Sequence, residues 1–135
     1  SAVSDLGSLQ PLPSGFRRFS YLSLLIATEL LEQQGAIITP ARNGKEAVTI
    51  FENNAPGTFD VILMDIMMPV MDGLEACRTI RSLNRPDAST IPVIALTANA
   101  FFEDAKKCLD AGMNAHLTKP IDMKKMTQTI GNFIK

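Results

Sequence analysis

The stretch "VILMDIMMPVMDGLEA", residues 61–76, decides how the rest of the chain is read. A short apolar run, β-branched enough for a strand buried on both faces, leads directly into Asp65. Pro69 follows, and then Asp72 and Gly73 open a helical pattern in which Leu74, Cys77 and Ile80 recur at spacing three. The stretch poses one question. Asp65 is either a nucleophile presented at the mouth of a sheet or the polar end of a buried strand.

The same alternation continues on both sides. Upstream, residues 27–35 read as a helix stopped by Gly35. Residues 36–41 read as a short strand. Residues 43–54 read as a helix with Ala47, Val48, Ile50 and Phe51 towards the core. Downstream, "IPVIAL" (91–96) is a second buried strand, and residues 101–112 are a helix stopped by Gly112. "AHLT" (115–118) is a short strand. The last helix begins at Asp122, its N-cap, and uses Met123, Met126, Ile130 and Phe133 as its apolar stripe. Strands and helices alternating at these lengths specify βαβ units, and so a parallel sheet covered on both faces.

Composition bounds the rest. The 135 residues suit one ordinary domain, with 46% hydrophobic residues, 20% charged residues and a formal net charge of −1. Without a long basic or acidic block, a general nucleic-acid or membrane-surface binder is not expected. Cys77 and Cys108 fall inside helical patterns, as reduced thiols would, and with one histidine they are too few for a disulfide framework or a cysteine–histidine metal site. No run is apolar enough to span a bilayer, and "SAVSDLGSLQPLPSG" lacks a signal-peptide layout, so the expected location is cytoplasmic, either as such or as the cytoplasmic part of a membrane-bound kinase. Met64, Met67, Met68 and Met71 cluster around Asp65; core and loop packing is the simpler reading, and a partner surface the other.

Three polar residues follow buried strands at equivalent points: Asp65 after "VILM", Thr97 after "VIAL" and Lys119 after "HLT". The carboxyl ends of strands in an open parallel sheet line one edge, where ligands bind. Taken singly, these residues read as a cap, a turn hydroxyl and a solvated charge. Together they suit transient phosphorylation of a carboxylate. Asp65 would attack a phosphoryl group in line, Lys119 would offset the charge of one phosphoryl oxygen, and Thr97 would donate to another. Ala98 leaves room for the group, and Pro120 can support a cis peptide that fixes the approach of Lys119.

With "NGKEAVTIF", "VILMDIMMPVMDG", "IPVIALTANA" and "DAGMNAHLTKPID", the sequence from about Ile26 onward resembles the receiver domains of two-component response regulators, above all those of hybrid sensor histidine kinases. The resemblance implies a three-layer, flavodoxin-like open parallel sheet, with residues 1–19 an atypical segment and residues 20–135 the receiver. It implies Asp65 as phospho-acceptor, Thr97 as switch hydroxyl and Lys119 as phosphate contact, with Pro69 and Gly73 as supporting positions. His116 falls where the family places a rotating, usually aromatic, switch side chain; a packed strand histidine is the alternative. The implied partner is a histidine kinase or phosphotransfer domain, and the implied cofactor is Mg²⁺, held by Asp65, the Met67 backbone carbonyl and two adjacent acids on the first strand.

Those acids are missing. Counting back from Gly35 by the family's usual helix length places them at Arg18 and Phe19. Mg²⁺ takes oxygen ligands, so weak Mg²⁺ binding and slow or absent phosphorylation are expected. Arg17 or Arg18 could pair with Asp65 in place of the metal, or be ordinary solvated arginines. The prolines and glycine of "LQPLPSGF" are poor material for a central strand. "RFSYLSLLI" could supply a replacement strand, remain helical, or leave a gap in the sheet that a second chain fills, making a dimer. The spacing of Leu22, Ile26 and Leu30 favours the helix. Two functions compete: a phosphorelay receiver, and a phosphorylation-independent interaction module of the same fold. A phosphoester or haloacid hydrolase would need further acids that show no recognisable pattern near Asp65.

Overall fold

The computed structural model describes residues 18–21, 37–67, 70–98, 102–118 and 122–133. Five strands, β1 (Arg18–Tyr21), β2 (Ile37–Pro40), β3 (Val61–Asp65), β4 (Val93–Thr97) and β5 (Ala115–Thr118), form one sheet in the order β2-β1-β3-β4-β5. Every pairing is parallel. Four described helices accompany it: α1 (Gly44–Asn53), α2 (Gly73–Ser82), α3 (Phe102–Asp110) and α4 (Met123–Phe133). This is the flavodoxin-like arrangement, in which the strand order reverses between β1 and β3.

β3 and β4 are buried along their whole length. That is why they read as unbroken apolar runs rather than as alternating ones. Their side chains still divide by face. Ile62, Met64, Val93 and Ala95 join a core with Ala47, Val48 and Phe51 of α1, Ala76, Cys77 and Ile80 of α2, and Cys108 of α3. Leu63, Ile94 and Leu96 alternate with these and point to the other face, where α4 packs along β5 and buries Met126 and Ile130. Ile50 and Leu74 are half-buried against the first core.

The helix ends follow local chemistry. Asn43 and Asp72 cap α1 and α2 by accepting from the amides of Glu46 and Glu75, both at 2.8 Å. Asp122 caps α4 as expected, accepting from the Lys124 amide at 2.9 Å. α3 ends in a paired stop, with Gly112 N–H donating to Leu109 O and Met113 N–H to Cys108 O, both at 3.0 Å. Gly35 and the helical pattern around it lie outside the described residues.

Two expectations change. Residues 18–21 are a strand, and the strand is central: Phe19, Ser20 and Tyr21 pair with Ile38, Thr39 and Pro40 on one side and with Val61, Ile62 and Leu63 on the other. The replacement strand is therefore the solution at these positions, and the chain itself occupies the gap that a second copy was considered to fill. The helical reading from Leu22 onward falls outside the described residues. Phe133, assigned to the apolar stripe of the last helix, is 39% exposed. The eleven residues of α4 rise about 16 Å, whereas the four residues of β5 advance about 13 Å, so the last turn outruns its strand.

Candidate functional site

The carboxyl edge of the sheet at the β1–β3 reversal is where an open parallel α/β sheet leaves a crevice. Asp65 is the last residue of β3, on the rim of that crevice, and it is buried. Its level on β4 is Leu96, and Thr97, also buried, stands one residue further along. The ladder runs one step past Asp65, because the Ile66 amide donates to the Leu96 carbonyl at 3.1 Å. Asp65 and Thr97 thus close the ends of neighbouring strands about 4.8 Å apart. The structure places these two at the ends of adjacent strands.

The loop after Asp65 is held by backbone contacts from two helix starts. The Gly73 amide donates to Ile66 O at 3.0 Å, and the Gly44 amide donates to Met71 O at 3.0 Å. Both approaches need glycine. A Cβ on Gly73 would sit 2.3 Å from Asp65 O, and one on Gly44 would sit 2.3 Å from Met71 O. Gly73 was among the sequence candidates. Gly44 was not, although its only signal, an Asn–Gly pair opening a helix, was in view. Within the loop, Asp65 Oδ1 accepts from the Met67 amide at 3.0 Å, which turns the carboxylate towards its own backbone. Met67 and Val70 are 77% and 78% exposed at this rim, whereas Met64 is fully buried and Met71 half-buried.

The remaining candidates are placed as follows. Thr118 pairs with Thr97 and ends β5; Lys119, next in the chain, lies outside the described residues, as do Pro69, Met68 and Pro120. Ala98 is exposed beside Thr97. His116 pairs with Ala95 and so shares the sheet face of Thr97. It is exposed, and Leu117 takes the buried position on this edge strand.

Arg18 cannot stand in for a metal at Asp65. Tyr21 is opposite Leu63, two residues short of Asp65, and Arg18 is three residues further back. That places its backbone at the amino edge, roughly 16 Å along the strands from Asp65. Arg17 lies outside the described residues. The positions reached by counting helix length, Arg18 and Phe19, begin β1 rather than end it, because the strand runs on to Tyr21.

The donor set does not fit a divalent cation. Among the described residues no three His, Cys, Asp or Glu side chains gather as a metal site. β1 itself reads Arg-Phe-Ser-Tyr, and the sequence holds no acid between Asp5 and Glu29. Of the expected ligands, Asp65 and the Met67 carbonyl are present and the paired acids are not.

Two arginines that sequence reading passed over build the rest of the frame. Arg81 donates to Gly112 O, Ala88 O and Asn114 Oδ1, and Asn114 Oδ1 also accepts from the Val93 amide. Arg85 pairs with Asp87 at 2.6 Å, donates to Phe51 O and lies 4.2 Å over the Phe51 ring. Hydrogen bonding from Arg85 holds the Asp87 carboxyl below its ordinary range. Burial pushes the Cys77 thiol up, outweighing the pull of nearby Arg81. Both cysteines are buried, as expected of structural thiols.

Residues 21–131 match the response regulator receiver domain model. The chain belongs to the receiver domain family. The receiver is 40% identical over 111 residues to hybrid signal transduction histidine kinase B of Dictyostelium discoideum, a match covering 76% of this chain and 6% of that protein. It therefore spans only a small part of the length of such kinases. The receiver domain of a sensor histidine kinase from Pseudomonas aeruginosa, solved with a magnesium ion coordinated in its active site cleft, is 31% identical, with a TM-score of 0.73 over 88% of this chain and 98% of that one. A receiver domain from Saccharomyces cerevisiae, solved with a histidine phosphotransfer signaling protein, is 25% identical, with a TM-score of 0.75 over 92% and 91% of the two chains.

Proposed function

We propose that this receiver accepts a phosphoryl group on Asp65 from the phosphohistidine of a partner kinase or phosphotransfer domain. The observation that carries this reading is the placement of Asp65 at the carboxyl end of β3, at the sheet's reversal point, with Thr97 ending the neighbouring strand. A carboxylate oxygen of Asp65 attacks phosphorus, the P–N bond breaks, and the imidazole leaves with the electron pair. The product is an acyl phosphate. Thr97 donates to a phosphoryl oxygen, and Lys119 offsets its charge. His116, on the same face as Thr97, is the side chain that reports the change at the edge strand. The kinase relatives and the phosphotransfer partner of the yeast receiver support this partner class. Among the described residues no helix is long and apolar enough to cross a membrane, and the receiver is read as a cytoplasmic module.

The test is intact-protein mass after incubation with a phosphohistidine donor or acetyl phosphate. One phosphoryl group is gained by the natural chain and none by Asp65→Asn. Equal gain by both would place the modification elsewhere. A second reading, a pseudo-receiver that binds partners without phosphorylation, draws on the missing acid pair and on the bond from the Met67 amide to Asp65. It gains if neither protein changes mass while the natural chain still binds a phosphotransfer partner.

A further inference from the structure

We infer that the crevice at the ends of β1 and β3, to which β1 brings no carboxylate, does not hold a divalent cation, so that any acyl phosphate on Asp65 forms without one. The inference rests on the phospho-acceptor reading only for its second half. Its first half follows from the fold. β1 is the strand beside β3, so an acid pair facing Asp65 would have to come from β1 or from the residues just after it. Those residues are Arg18, Phe19, Ser20 and Tyr21, followed in sequence by Leu22, Ser23 and Leu24, and none carries a carboxylate.

A Mg²⁺ ion gives up hydration reluctantly and demands near-octahedral oxygen ligands. One carboxylate and one carbonyl leave it most of its waters and little charge to hold it. Loss of an outer-shell partner alone weakens metal binding by about 10- to 100-fold. Loss of two direct anionic ligands places the affinity at least about 100-fold below that of a receiver that keeps them, by the same reasoning.

Backbone amides organise the site. The Met67 amide satisfies one carboxylate oxygen of Asp65, and the loop is tied down by the amides of Gly73 and Gly44. A cation that bound here would raise the melting temperature, by an amount that grows with the logarithm of its concentration once that exceeds the dissociation constant.

Calorimetric titration with Mg²⁺, run beside the Pseudomonas receiver whose structure carries magnesium, tests the first half. The expected result is no saturable heat at concentrations that saturate the control, and equal melting temperatures in Mg²⁺ and in EDTA. Binding within tenfold of the control overturns the inference whether or not Asp65 is phosphorylated. Mass gain from a phosphohistidine donor, measured in Mg²⁺ and in EDTA, tests the second half. Equal gain in both supports it, and gain abolished by EDTA overturns it while upholding Asp65 as acceptor. No gain in either, with no magnesium heat, supports the loss of the cation site and sinks the phospho-acceptor reading.

Discussion

Val70 adopts φ 69°, a left-handed conformation that costs a β-branched residue about 1–2 kcal/mol. It sits exposed in the loop that follows Asp65, so no packing is lost on shortening it. Val70→Gly removes the strain but loosens the unfolded chain by about 0.4–1 kcal/mol. The net expectation is a melting temperature raised by a few degrees. Gly73→Ala does the opposite. Its Cβ would press on the Asp65 carbonyl, which is backbone and cannot rotate away, and destabilisation by about 1–3 kcal/mol follows in urea unfolding. Equal stability of the two variants would mean that the loop is not built as described. Both positions act on Asp65 through the backbone it ends on. Asp65 and Thr97 themselves were legible in sequence because each is a polar residue ending an apolar run. Gly44 was not, because its reason is a carbonyl 27 residues away in the chain.

Among the elements, the connection from α2 to β4 is locked to the end of α1. Arg85 joins Asp87, the Phe51 carbonyl and the Phe51 ring, and the Gly57 amide donates to Asp87 Oδ2 at 3.2 Å. Replacing Asp87 by Asn keeps the shape and removes the charge. A cost of about 1–3 kcal/mol is expected at neutral pH, since hydrogen bonds to charged groups are the stronger ones. The folded carboxyl titrates below its ordinary value, so the advantage of the natural chain is complete above about pH 4. It fades as pH falls through the depressed folded value, and the two proteins converge in acid. Denaturation at several pH values checks this, and a difference that persists unchanged in acid would assign the cost to packing. Helix caps were readable from sequence where they are local, as at Asp122. The arginine clips were not, because their acceptors lie in other elements.

For the whole molecule, everything depends on a four-residue strand in the middle of the sheet. Ser20 of β1 is flanked by Thr39 and Ile62 on its two neighbours. Ser20→Pro removes a ladder donor and inserts a ring where strands press from both sides, costing about 3 kcal/mol or more. The expected result is loss of cooperative unfolding with a collapse of far-ultraviolet dichroism. A variant that unfolds like the natural chain would show β1 to be dispensable. By itself, the sequence determined the alternation of strands and helices, the parallel α/β class, and the two strand ends that carry Asp65 and Thr97. These follow from periodicity and burial, which are properties of short segments. Only the tertiary structure decided that residues 18–21 are a central strand. The alternation in "RFSY" is only four residues long, and it becomes a strand by pairing with β2 on one side and β3 on the other. That pairing puts a strand without acids next to Asp65.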